Sequence, residues 1–107
     1  MKPELHRMVA TLCSYESLFG PYHSQTLRLM VEVGAAYLEL GQLEPAERLL
    51  RRATGDLERF FGRQHDARLR GLEFLRDLAV SRGDLAGAGF LQQELLECRE
   101  TETLPVV

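Results

Sequence analysis

Phe19-Gly20-Pro21-Tyr22-His23-Ser24-Gln25-Thr26-Leu27 and Phe61-Gly62-Arg63-Gln64-His65-Asp66-Ala67-Arg68-Leu69 are one turn written twice, 42 residues apart. Phe, Gly, His and Leu coincide in the two copies, and the register continues downstream. Leu40-Gly41-Gln42-Leu43 meets Arg82-Gly83-Asp84-Leu85, Ala46 meets Ala88, and Leu49 meets Leu91. Upstream, Pro3 falls on Pro45, Glu16 on Glu58 and Phe19-Gly20 on Phe61-Gly62. A fixed period of this size marks a repeat architecture in which each unit is one supersecondary element. The register divides the chain into a half repeat over 3–20, a repeat over 24–62, a repeat over 66–100, and a segment without periodicity over 101–107, expected to be a flexible tail. The first unit is expected to consist of its second helix alone.

Each full unit reads as two helices. Leu27, Met30, Val31, Val33, Ala36, Tyr37 and Leu40 recur at helical spacing. Ser24 and Asp66 stand where a side-chain oxygen would accept the first free N–H groups of a helix. Gly41 and Gly83 follow the last periodic residues, where a left-handed residue closes a helix. Pro45 sits in the first turn of the next helix, where its missing N–H is harmless, and Gly20 and Gly62 stop the second helices. The predicted elements are helices at about 3–18, 24–40, 43–60, 66–82 and 84–99, with no strand. Single hairpins of this kind leave apolar faces uncovered, so neighbours stack and share one core.

Composition limits the alternatives. The chain has 107 residues, 45% hydrophobic and 27% charged, which suits one folded domain and is too apolar for intrinsic disorder. Thirteen basic and 16 acidic residues are scattered along it for a net charge of −3, so nothing favours nucleic acid as a partner. No apolar run approaches the roughly 20 residues of a membrane span, and Met1 to Arg7 lacks a signal-type stretch. Cys13 and Cys98 form no C-x-x-C pair. A cytoplasmic protein with reduced, buried thiols, no membrane association and no cofactor is expected.

Gly34, Tyr37, Gly41, Ala46, Leu50 and Ala53, with Val33 at the usual leucine position, have the small-large-small spacing of the tetratricopeptide repeat. The 42-residue period, the Phe-Gly-x-x-His turn and the run Gly41-Gln42-Leu43-Glu44-Pro45-Ala46-Glu47 resemble the kinesin light chain variety of that repeat. The resemblance spans roughly residues 3–100 and is strongest over 19–62. It implies an all-α fold, a right-handed superhelical stack of antiparallel helical hairpins, that is, a TPR-like α-solenoid of about five helices. The second unit departs from the pattern, with Arg76, Ala79 and Gln92 where Gly34, Tyr37 and Leu50 stood in the first. Ser24 and Asp66 also replace the proline that follows the histidine in the family. The same hairpins resemble the carboxy-terminal helical part of SET-and-MYND methyltransferases, whose catalytic and zinc-binding parts have no counterpart here.

Residues with catalytic potential do not assemble into a site. His23 and His65 recur one repeat apart, on the order of 10 Å for stacked helices, too far for one metal ion, and packing within the turns is their expected role. His6 is expected to be solvated. Glu44, Glu47, Asp56 and Glu58 alternate with arginines, as on a solvated helix face with i,i+4 pairs. Gly83, Gly87 and Gly89 lack the Lys-Ser and the preceding strand of a phosphate loop. The chain is therefore expected to be non-enzymatic.

What remains is a surface. The resemblance implies a concave groove lined by the first helices, at Arg28, Val31, Ala35, Leu38 and Glu39 in one unit and Arg70, Glu73, Asp77, Val80 and Ser81 in the next. Two roles fit Arg28 and Arg70: forked hydrogen bonds to the carboxylates of an acidic peptide partner, or solvation of exposed turns. Leu5, Met8, Val9, Leu12 and Tyr15 are expected to form an apolar strip on the unpaired first helix, open to self-association. Two functions stay open, a scaffold or adaptor module binding a protein or peptide, and a structural or regulatory helical domain of a larger protein.

Overall fold

The computed structural model of the chain describes residues 3–103 and carries five helices: α1 (Pro3–Phe19), α2 (Ser24–Glu39), α3 (Leu43–Phe61), α4 (Asp66–Ser81) and α5 (Leu85–Thr103). No strand occurs among the described residues. The first four helices begin and end within a residue of the positions that the repeat predicts. The last does not, because α5 continues through residues 101–103, which the lost periodicity assigned to a tail. The rest of that expected tail, 104–107, lies outside the described residues.

The helix starts are made by different side chains than the sequence suggests. Ser24 and Asp66 are the first residues inside their helices, and the caps are His23 and His65. Each imidazole Nδ1 accepts a first-turn N–H, from Gln25 at 3.1 Å and from Ala67 at 3.2 Å. Each ring also lies on the phenylalanine four residues earlier, Phe19 with His23 at 5.1 Å and Phe61 with His65 at 5.4 Å between centroids. The Phe-Gly-x-x-His turn is thus a unit: glycine breaks the helix, the histidine caps the next one, and the phenylalanine holds the imidazole in place. Histidine rather than serine or aspartate does the capping because the ring reaches back over the turn while it packs on the phenylalanine.

The helix ends follow expectation. After α2, the Gln42 N–H donates to the Tyr37 carbonyl at 3.0 Å and the Gly41 N–H to Leu38 at 3.0 Å. These two bonds make a Schellman motif, with Gly41 at φ +75°. The pattern recurs after α4, where Asp84 donates to Ala79 at 2.9 Å and Gly83 to Val80 at 3.0 Å. Asp84 then turns outward to cap α5 through the Gly87 N–H at 2.9 Å.

Each helix packs on the next in chain order, and α2 also touches α4 directly. The described body measures 47 × 34 × 17 Å. Leu27, Met30, Val33, Leu50, Leu57 and Leu95 have no exposed surface, and all five helices contribute to one core. From α1, Leu5 and Leu12 are buried and Met8 and Val9 pack against the same cluster. Of the apolar strip expected to be open on this helix, Leu5 and Leu12 are therefore internal, and Met8, Val9 and Tyr15 are half-buried. Val31 is likewise a core residue, 1% exposed, and not a free groove side chain.

Two glycines bring α2 and α4 onto α3. A Cβ at Gly34 of α2 would lie 2.7 Å from Leu50 Cγ, and one at Gly71 of α4 would lie 2.5 Å from Thr54 Cγ2. Thr54 gives its hydroxyl to the Leu50 carbonyl at 2.8 Å within its own helix, which leaves its methyl for Gly71. In the second unit the Gly34–Leu50 contact is exchanged for a polar one. Arg76 and Gln92 occupy the equivalent positions and bond at 2.5 Å. The two departures from the repeat pattern compensate each other.

Gly34→Ala is expected to lower stability by about 1–3 kcal/mol in thermal or urea unfolding, since Leu50 is fully buried and has little room to yield. Gly41→Val is expected to cost roughly 1 kcal/mol or more through its left-handed backbone alone, with no steric neighbour involved. Unchanged melting of either variant would contradict the corresponding contact.

Candidate functional site

The face shared by α2 and α4 is held by two reciprocal ion pairs. Arg28 grips Asp66 with both guanidinium amines, at 2.9 and 3.0 Å. Four residues further along each helix the charges are reversed, and Arg70 bonds Glu32 through Nε at 2.5 Å and Nη2 at 3.3 Å. The hydrogen bonds to Asp66 hold the Arg28 guanidinium above its usual pKa, and those from Arg28 hold the Asp66 carboxyl below its own. Arg70 is raised in the same way by Glu32. Arg70 also lies over the Phe74 ring at 5.0 Å.

This arrangement changes what the two arginines can do. The forks expected to face a partner's carboxylates, or to be solvated at exposed turns, are filled by acids of the neighbouring first helix. The charge order that produces this is present in the sequence, as Arg28-x-x-x-Glu32 opposite Asp66-x-x-x-Arg70. Its meaning depends on knowing that α2 and α4 lie side by side, so Glu32 and Asp66 escape a reading made one helix at a time.

The other expected groove residues fall into two groups. Ala35 and Leu38 are half-buried on α2, and Glu39 is exposed at its end. On α4, Glu73 pairs with Arg99 of α5, Asp77 lies 3.5 Å from Arg76, and Val80 and Ser81 are exposed. Two depressions open on this face. One of about 330 Å³ lies between Tyr15, Leu29, Arg28 and Asp66, with Val31 at its floor. The other, about 250 Å³, is walled by Leu5 and Met8 of α1 and by Phe74 of α4, over Ala35 and Ala36.

A second cluster joins α4 to α5. Arg68 is 4% exposed, and donates to the Arg63 carbonyl at 2.7 Å and to Glu94 at 2.6 Å, with Glu58 at 3.5 Å. Its hydrogen bond holds the Glu94 carboxyl below the ordinary range, and Arg63 adds to the effect. Cys98 is buried beside the Arg68 guanidinium at 3.8 Å, whereas Cys13 is exposed on α1, contrary to the expectation that both are buried. Both thiols are free. Arg68 occupies the position of Thr26 in the first unit, which is also fully buried. An arginine in an apolar first turn gives no sequence signal of burial, because its long stem carries the charge out as readily as in.

Among the described residues no three His, Cys, Asp or Glu side chains come together as a metal site requires, and no helix is long and apolar enough to cross a membrane. No family model matches the chain, and no curated protein matches it.

Stability should depend on acid in a defined direction. The carboxyls of Asp66, Glu47 and Glu94 are lowered in the folded chain by Arg28, Arg82 and Arg68 respectively, while in the unfolded chain they titrate near 4. The unfolded state therefore binds more protons in this window, and the stabilisation is complete above about pH 4.5 and lost as pH falls through the folded values. Glu94→Gln should cost about 1.5–3 kcal/mol at neutral pH, as for a hydrogen bond to a charged group, and should flatten the acid slope. Thiol labelling of the native chain should modify Cys13 quickly and Cys98 only on unfolding; equal rates would place Cys98 at the surface.

Proposed function

We propose that this chain is a non-enzymatic protein-interaction module of the tetratricopeptide type, a scaffold or adaptor that holds a partner peptide over the face of the first helices α2 and α4. The observation that carries this reading is the side-by-side contact of α2 with α4, while α3 packs between them on the other side. A stack of hairpins places its first helices on one surface in this way. The repeated His caps, the repeated Schellman ends and a body only 17 Å thick support it. The two depressions, about 250 and 330 Å³, lie on either side of the lower size limit of small-molecule pockets, near 300 Å³, and suit single side chains of a peptide.

A second reading, a helical domain within a larger assembly, is favoured by α5. Leu85 and Leu96, which share one side of the helix, are 73 and 43% exposed. Leu96 stands where Thr54 receives α4 in the preceding unit, so this side of α5 is the one on which a further hairpin would stack.

The two readings separate by site-specific photocrosslinking. With the crosslinker at Leu38, on the α2 face, a discrete adduct is expected in extracts of the source cells, and none with it at Arg52 on the outside of α3. Adducts formed equally from both positions would remove the α2–α4 face from consideration, and adducts only from Leu96 would favour the assembly reading.

A further inference from the structure

The depression between α1, α2 and α4 differs in charge from what the arginine pattern of the first helices suggests. Its apolar walls are Leu5, Met8 and Phe74. Its one cation among the described residues, Arg70, is neutralised by Glu32 and covers the Phe74 ring. Glu4 on the α1 side and Glu39 at the end of α2 border the same opening, both exposed and without an ion-pair partner among the described residues. The rim is therefore acidic around an apolar floor.

We infer that this depression binds a peptide segment in which one large apolar side chain is flanked by Lys or Arg. The inference rests on the interaction-module reading and specifies the partner chemistry of that site. The apolar side chain enters between Met8 and Phe74 and removes their exposed carbon from water. The flanking cations meet Glu4 and Glu39. An acidic peptide would meet the same two carboxylates with no unoccupied guanidinium to offset them, because displacing Glu32 from Arg70 or Asp66 from Arg28 breaks a bidentate pair that the chain already holds. Like-charge contact discriminates against it as much as opposite charge favours the cationic segment.

The test is selection of a phage-displayed random peptide library on the intact chain, followed by titration of the enriched synthetic peptides against the parent and four variants. Enriched sequences should carry Leu, Phe or Met between basic residues. Glu39→Lys should weaken them by about fivefold, as one exposed charge pair allows, and Glu4→Lys with Glu39→Lys by tenfold or more. Ala35→Met, which fills the floor, should abolish binding while melting near the parent temperature. Asp56→Lys on α3, with the same charge change away from the opening, should leave affinity unchanged.

Enrichment of acidic peptides whose binding is lost in Ala35→Met would overturn the cationic assignment and leave the interaction-module reading standing. Cationic peptides indifferent to Glu4 and Glu39, or weakened equally by Asp56→Lys, would overturn the inference as non-specific charge attraction. Absence of any enrichment that Ala35→Met removes would count against both.

Discussion

The close approach of two glycines to α3 is the constraint on which the rest of the molecule depends. Gly34 seats α2 on Leu50, and Gly71 seats α4 on Thr54 one turn further along the same helix. With a Cβ at either place, one of the flanking helices would have to move outward. Because both lie close against α3, α2 and α4 are also close to each other. The Arg28–Asp66 and Glu32–Arg70 pairs are a consequence of that proximity rather than its cause. Exposed ion pairs each contribute about 1 kcal/mol or less, while the fully buried leucines of the α2–α3 contact are worth roughly 1.5–3 kcal/mol each.

The second hairpin solves the same packing problem with different chemistry. Arg76 and Gln92 replace a glycine against a leucine by a hydrogen bond, and the Arg68, Glu94 and Glu58 cluster replaces the smaller Thr26 contact of the first unit. Polar contacts of this kind are directional and need less intimate approach of the backbones. In the α4–α5 pair Leu85 and Phe90 are largely exposed. A hairpin that is degenerate by sequence is still a hairpin, held by hydrogen bonds where its neighbour is held by shape.

Charge on the α2–α4 face illustrates why residue type alone misleads about a surface. Arg28 and Arg70 stand at equivalent repeat positions and read as a basic edge. In the folded chain each has an acid opposite, and Glu4 and Glu39, which have no such counterpart among the described residues, border the opening between α1 and α4. The face is thus best described by its unpaired charges.

Helix number and order, and the ends of the first four helices, were legible in the sequence because they follow from local rules repeated at a fixed interval: glycine at the stops, the apolar spacing of each helix, and the recurrence of both after 42 residues. The histidines were visible as a repeated motif and their packing within the turns was expected, but their capping role was not, since it depends on the phenylalanine ring holding the imidazole over the first N–H groups. The burial of Val31, Leu5 and Leu12, the pairing of Arg28 with Asp66 and Arg70 with Glu32, and the sealing of Arg68 beneath Glu94 were settled only by the tertiary structure. Each involves residues on different helices, 26 to 38 positions apart for the ion pairs. Local periodicity specifies which side of a helix is apolar; which neighbour covers that side, and which charges are thereby brought together, is a property of the packed molecule.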